Sequence, residues 1–113
     1  MLKNIYGSAF NSCTSLSTFY YPKYKQYGYI YFAYVDMYAF QNCSLTNVYF
    51  SGTKELYDER QNPSNHYEFI ATTYNTNSRL IAALIFYSEE EPTDTTYRYW
   101  HYVNGEPTIW VIE

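Results

Sequence analysis

The side chains that could do acid–base or metal chemistry in this sequence are two histidines, two cysteines and a short run of acids. Neither His66 nor His101 has a Ser, Cys or carboxylate partner at a recognisable motif spacing. The three consecutive carboxylates of residues 89–91 point in different directions, so together with Asp94 they do not build a calcium loop. Cysteines and histidines this far apart do not form a zinc motif either. The sequence therefore predicts a protein that is not an enzyme and has no metal and no cofactor.

Tyrosine offers a different chemistry, because it combines a large apolar ring with a polar hydroxyl and loses little entropy on binding. Eight of the 17 tyrosines fall between residues 20 and 38. Exposed tyrosine clusters mark contact surfaces for proteins or sugars. The alternative interpretation is that one face of this segment belongs to the core. On the first interpretation, at least part of an extended row formed by Tyr27, Tyr29 and Tyr31 is open to solvent, and the ligand contacts are Tyr24, Tyr27, Tyr29, Tyr31 and Tyr34.

Two segments on either side of this cluster repeat the same order of residues. Each contains an Ala-Phe pair, then a cysteine, then a leucine, and equivalent residues lie 29 or 30 positions apart. Such repetition is typical of a solenoid, in which each unit buries its apolar face against its neighbours. The predicted repeat core consists of Ala9, Phe10, Cys13, Leu16, Phe19, Ala39, Phe40, Cys43, Leu45, Val48 and Phe50.

The alternation that follows each repeated leucine predicts two short strands, near residues 16–21 and 45–50. Equivalent positions should stack in parallel at the strand spacing of about 4.8 Å. Phe10 and Phe40 should both be buried and in register. The two cysteines should also stack, either as buried free thiols or as a disulfide.

The repeated pattern resembles the BspA-type leucine-rich repeat of bacterial and some protozoan surface proteins. Pro22 closes the first unit as in that family, and residues 51–55 are similar to the last repeat of such arrays. Residues 99–110 resemble their C-terminal end, which implies a packing role for His101. The resemblance implies a leucine-rich-repeat solenoid fragment, mostly β with short helical turns, with parallel stacked strands and a C-terminal β-hairpin cap.

With 113 residues the chain has room for one domain. Its predicted parts are a first repeat at 1–22, a projecting, extended aromatic insertion at 23–38, a second repeat at 39–52, and a closing repeat with the cap at 53–113. The elements predicted for the closing part are a helical turn within 53–61, strands at 67–73 and 80–87, and a hairpin about Asn104-Gly105.

Charge is unevenly distributed along the chain. Three lysines and one aspartate give the first 50 residues a charge of +2, and the remainder carries −6, for a total of −4. Net acidity argues against nucleic-acid binding, which needs a basic face. The longest apolar run, residues 80–86, is far shorter than the roughly 20 residues that span a bilayer. We therefore expect no nucleic-acid partner and no membrane span.

The resemblance implies a protein- or glycan-interaction module of a surface adhesin, at the cell surface or secreted as part of a longer chain. No signal peptide is visible, and a cytoplasmic location stays open. The first repeat begins close to Met1, so self-association through this edge is expected unless the insertion covers it. Two alternatives stay open for the function: a purely structural C-terminal cap of a longer repeat array, and an appended module of a secreted enzyme.

Overall fold

The computed structural model describes residues 3–7, 9–10, 12–61, 69–72 and 77–111. The strands in these ranges are β1 (Asn4–Ile5), β2 (Thr18–Tyr20), β3 (Lys23–Gln26), β4 (Tyr29–Phe32), β5 (Tyr34–Val35), β6 (Asn47–Tyr49), β7 (Leu84–Tyr87), β8 (Arg98–Val103) and β9 (Glu106–Ile109). The helices are α1 (Lys54–Arg60) and α2 (Ser78–Ala82). Across the described ranges, neither helix has the length and apolar character needed to cross a bilayer. His66 lies outside the described residues.

The main sheet contains five strands in the order β2-β6-β7-β8-β9. The first four run parallel, and β9 runs antiparallel to β8. Because successive strand residues point to opposite faces, one face of this sheet carries the apolar core. Its side chains include Phe19, Val48, Leu84, Phe86 and Tyr99. Separately, β1 pairs with β5 in parallel, and β3 pairs with β4 as an antiparallel hairpin.

The predicted leucine-rich-repeat solenoid is wrong, because the strands form a curled sheet with mixed parallel and antiparallel pairing. A solenoid requires each coil to follow the same path, whereas the connections here all differ. The chain passes through α1 and α2 between β6 and β7, and it reverses at Asn104-Gly105 between β8 and β9. The predictions of a mostly β protein and of a C-terminal hairpin are confirmed.

Locally, the two similar segments do stack on each other. β2 and β6 pair in parallel with Phe19 opposite Val48, as the repeat predicts. The rings of Phe10 and Phe40 are stacked with centroids 5.0 Å apart. Phe40 is buried, but Phe10 is only half-buried, so the prediction that both are buried holds for one of them. The sequence repeat therefore specifies one pair of strands rather than the whole fold.

The closing part matches the prediction in two places and departs from it in a third. Helix α1 forms within 53–61, where the Thr53 hydroxyl accepts a hydrogen bond from the Leu56 amide and caps the first turn. The C-terminal hairpin turns at Asn104-Gly105. The strand predicted over 80–87 begins only at Leu84, because α2 occupies the preceding residues.

Of the strand predicted over 67–73, the described residues 69–72 form one parallel bridge, between Ile70 and Val35. Gln61, directly after α1, fixes this segment. Its side-chain oxygen accepts from the Phe69 and Ile70 amides, and its amide nitrogen donates to the Ile70 carbonyl. This side chain thus adds three hydrogen bonds to the two backbone bonds that join the described segment to Val35.

The core is aromatic and centres on the buried ring of Phe50. This ring contacts the rings of Tyr21, Phe32, Tyr57, Phe69 and Phe86. Gly52 lies against it so closely that a Cβ there would stand 2.7 Å from Phe32 and 2.9 Å from Phe50. Glycine is therefore required at this position, where Phe32 reaches the core from the end of the β3–β4 hairpin.

The N-terminal edge is partly covered by the predicted insertion. Strand β1 pairs with β5, which places Ile5 beside Val35 and buries both. This agrees with the second of the two predictions for this edge, in which the insertion covers the first repeat instead of a second copy of the chain. Self-association itself stays a prediction.

Candidate binding surface

Residues 23–32 form a two-stranded unit, here called the tyrosine hairpin. β3 and β4 pair with Tyr24 opposite Tyr31 and with Gln26 opposite Tyr29. Tyr27 and Gly28 form the turn, with φ angles of 54° and 80°. Positive φ at both central residues is the type I′ arrangement, whose twist matches that of paired strands.

The prediction of one extended row of rings from Tyr27 to Tyr31 is corrected by this turn. Tyr27 sits at the tip rather than on a strand, so it does not share a face with Tyr29 and Tyr31. The signal was present in the sequence, since a glycine between two runs of β-forming residues is a hairpin pattern.

The five predicted contact residues fall into three environments. Tyr27 is 87% exposed at the tip, and its neighbour Tyr29 is 63% exposed. Tyr24 and Tyr31 are half-buried and stack across the strands with ring centroids 5.5 Å apart. Tyr34 is exposed but lies on β5, outside the hairpin. The structure thus brings four of the predicted residues together and leaves Tyr34 apart.

Two cations fasten the tyrosine hairpin to the rest of the molecule. The Lys3 ammonium lies 5.2 Å from the centre of the Tyr24 ring and donates to the Gln26 side chain at 3.4 Å. Arg60, at the end of α1, lies 5.7 Å from the Tyr31 ring and donates to the Ile30 carbonyl at 2.9 Å. Cation–π contacts of this kind at exposed sites contribute about 0.5–1 kcal/mol. The two strands of the hairpin are therefore held along their length, while Tyr27 at the tip stands in solvent.

A second group of rings, which was not predicted from the sequence, covers the outer face of the main sheet. This aromatic sheet face consists of Tyr20, Tyr49, Tyr87, Trp100 and Tyr102. Trp100 is buried at its centre, where its indole nitrogen donates to the Phe50 carbonyl at 2.8 Å. Tyr20 and Tyr102 remain exposed at its two ends. Pairs of adjacent aromatics such as Tyr20-Tyr21 and Tyr49-Phe50 were the available signal, because neighbours on a strand face opposite ways.

The residues considered for acid–base or metal chemistry make contacts that stabilise the fold or are exposed to solvent. His101 stacks on Trp110 with centroids 3.6 Å apart, and Asp94 accepts hydrogen bonds from the Thr96 amide and the Tyr99 hydroxyl. Those bonds lower the pKa of Asp94, and burial raises the pKa of Tyr99 to about 12. Glu89 to Glu91 are exposed. Within the described ranges, no three His, Cys, Asp or Glu side chains cluster in a way that could hold a metal ion.

Both cysteines are free thiols, so the disulfide alternative is not realised. Cys43 is buried and donates a hydrogen bond to the Phe10 carbonyl, which ties the second similar segment to the first. Burial raises the pKa of the Cys43 thiol. A raised pKa keeps the sulfur protonated at neutral pH, where it is neither a strong nucleophile nor a metal ligand.

Comparisons with models of protein families, with curated proteins and with solved structures find no match to this chain. Any statement about its function therefore depends on the chemistry of its own surfaces.

Proposed function

We propose that this protein is a non-enzymatic interaction module that binds a protein or a glycan through Tyr27 and Tyr29 of the tyrosine hairpin. One observation carries the proposal: Tyr27 is a bulky residue in the left-handed region, and its ring is the most exposed of the large apolar side chains described.

The position of Tyr27 works against local stability. A left-handed conformation costs most L-residues roughly 1–2 kcal/mol, and Asn, Asp or Gly are the residues that adopt it readily in type I′ turns. The ring does not offset this cost by packing, since it is 87% exposed. A residue that neither eases the turn nor fills the core is best explained by a contact outside the molecule, since local strain is concentrated at functional sites.

The two Ala-Phe/Cys/Leu segments resemble BspA-type repeats in sequence and pair in parallel through β2 and β6, although the solenoid of that family is not formed, and this local resemblance favours the same class of role. Members of that family are generally associated with adhesion to host proteins, other cells or matrix. On this basis the proposal includes a location at the cell surface, or secretion as part of a longer chain.

The test is a paired replacement of exposed tyrosines. Tyr27→Ser/Tyr29→Ser should abolish binding to arrays of glycans and of matrix and cell-surface proteins. Its matched control is Tyr20→Ser/Tyr102→Ser, which removes rings that are 62% and 58% exposed on the aromatic sheet face. Circular dichroism and thermal unfolding should show that both variants stay folded. An unchanged array profile for the first variant would overturn the proposal, and loss in the control alone would move the contact to the aromatic sheet face.

A second candidate function is that of a structural closing segment in a longer chain. Strand β9 runs antiparallel and ends the run of parallel strands, and Trp110 after it donates to the Ser88 carbonyl at 2.8 Å. This arrangement places an antiparallel strand at one end of the main sheet. Arrays that show no binding by the wild-type protein would favour this second function.

A further inference from the structure

The tyrosine hairpin carries positive charge in a protein of net charge −4. Residues 21–35 contain two lysines and no acidic residue. Lys23 and Lys25 are exposed on β3, and the contacts of Lys3 and Arg60 place two further cations beside the strands of the hairpin. Four of the seven basic residues of the chain therefore lie on or beside the hairpin. Lys3 and Arg60 contact the face that carries Tyr24 and Tyr31, and the two lysines of β3 lie on the opposite face.

Among the residues that the structure describes, these cations form no ion pair with a carboxylate. Across the described ranges the ion pair is Lys54–Asp58 on α1, and none of the four hairpin cations takes part in another. The contacts of Lys3 and Arg60 are with rings, an amide side chain and a backbone carbonyl. Their positive charge therefore remains available to an anion that approaches from solvent.

The hairpin also offers apolar contact next to the charge. Lys23 and Lys25 alternate with Tyr24 and Gln26, so they lie on the opposite strand face, about 6.6 Å apart along β3. The tip beyond them presents the Tyr27 ring. A ligand that follows β3 toward the tip meets two ammonium groups and then an aromatic face.

We propose that the ligand of the tyrosine hairpin is an anionic polysaccharide. Its carboxylates accept charge-assisted hydrogen bonds from Lys23 and Lys25. The C–H face of a sugar ring stacks on the Tyr27 ring. The inference rests on the proposed function, because it names the chemistry of the partner that binds at that same site.

The size of the surface favours an extended polymer over a globular protein. A standard protein interface uses about 20–30 residues on each side, whereas the hairpin offers only ten. Nucleic acid is a poorer match, because its dense phosphate charge needs a basic face, whereas the four cations lie on two faces of a molecule with net charge −4. A polymer with sparser charge and exposed sugar rings suits both the cations and the tyrosine.

The test measures binding of the full chain to polygalacturonate by affinity gel electrophoresis, with the neutral glucan pullulan as the comparison polymer. Lys25→Gln should weaken retention about fivefold, as expected for the loss of one exposed charge contact. Its matched control is Arg79→Gln, which removes one charge from α2 and should leave retention unchanged. Raising the salt from about 0.01 M to about 0.15 M shortens the Debye length from about 30 Å to about 8 Å and should weaken binding further.

The other outcomes separate this inference from the proposed function. If pullulan or an array protein binds, and this binding depends on Tyr27 but not on Lys25, the proposal of an anionic ligand is wrong. The hairpin remains the binding site in that case. Tighter binding of a single-stranded oligouridylate than of polygalacturonate would assign the cations to nucleic acid. Light scattering at low salt tests for self-association. If the protein self-associates, and both Lys25→Gln and Glu90→Gln abolish this, the partner of the hairpin is a second copy of the chain. Absence of any ligand would overturn both proposals.

Discussion

The two hairpins of this protein use the same turn with different residues. Tyr27-Gly28 and Asn104-Gly105 adopt nearly identical φ angles, 54° and 80° in the first and 52° and 81° in the second. Asn-Gly is the strongest sequence for a type I′ turn, whereas tyrosine is a poor residue at the first position. The C-terminal hairpin thus has the residue that its backbone prefers, and the tyrosine hairpin has one that its backbone disfavours.

The two hairpins also differ in what holds them. β8 is an internal strand of the main sheet, and Trp100 on it is buried. β3 and β4 pair with each other, and they are held to the rest of the molecule by the buried ring of Phe32 and by the cation–π contacts of Lys3 and Arg60. One hairpin is integral to the fold and the other is attached to it, which is the arrangement expected of a presented binding element.

The largest expected effect comes from removing one aromatic side chain from each hairpin. Trp100→Ala should lower the free energy of unfolding by about 3–5 kcal/mol, because it creates a cavity and leaves the Phe50 carbonyl without its indole donor. Tyr31→Ala should cost about 0.2–1 kcal/mol, the range for a cross-strand pair. Urea denaturation followed by circular dichroism measures both. Equal losses in the two variants would mean that the tyrosine hairpin is as integral to the fold as β8.

A reciprocal exchange of turn residues tests the strain directly. Tyr27→Asn should stabilise the tyrosine hairpin by about 1 kcal/mol, and Asn104→Tyr should destabilise the C-terminal hairpin by a similar amount. Native-state hydrogen exchange is the suitable measurement, since a local opening need not change global stability. Amides of β3 and β4 should exchange about fivefold more slowly in Tyr27→Asn. On the proposed function, the same variant should bind ligand more weakly, and faster exchange would show that Tyr27 is not strained.

The features predicted correctly from the sequence are those that a local motif determines. The similar Ala-Phe/Cys/Leu segments predicted that β2 would pair in parallel with β6, and Asn104-Gly105 predicted the second hairpin. The first hairpin was missed although it has the same turn, because tyrosine is not read as a turn residue. The high β-propensity of the tyrosines indicated a continuous strand, although Gly28 lies among them.

Long-range organisation could not be predicted from the same pattern. The motif occurs twice, so it gave no information on how β7, β8 and β9 would join the sheet. Those strands are brought together because residues such as Ile85 and Phe86 are buried. Many strand orders would bury the same side chains, so burial alone does not specify this one. The aromatic sheet face was missed for a related reason. Its residues come from four strands, and only the pairing register places them side by side.

A smaller effect is expected from loosening the attachment of the tyrosine hairpin. Arg60→Ala removes the cation near Tyr31 and the hydrogen bond to the Ile30 carbonyl, and should cost about 0.5–1 kcal/mol locally. Hydrogen exchange of β3 and β4 should accelerate, with β8 unaffected. Arg98→Ala is the matched control at the other hairpin, where Arg98 donates to Asn47, to the Thr46 carbonyl and to the Ala83 carbonyl. Acceleration of β8 rather than β3 in Arg60→Ala would contradict the separate attachment of the two hairpins.

The smallest effect at neutral pH concerns Tyr99, on β8 of the C-terminal hairpin. Burial, reinforced by its hydrogen bond to Asp94, raises the pKa of Tyr99 from 10.0 to about 12. The fold therefore favours the protonated phenol, so this contribution to stability is fully present below about pH 10 and is lost as the pH rises toward about 12. Urea denaturation at increasing pH should show stability falling across this window, and Tyr99→Phe, which cannot ionise, should fall less. Tyr21 is buried at the base of the tyrosine hairpin, and burial raises its pKa as well, so part of the alkaline loss should persist in Tyr99→Phe. Identical alkaline profiles for Tyr99→Phe and the wild type would show that Tyr99 ionises without opposing the fold, and the alkaline loss of stability would then belong to other groups such as Tyr21.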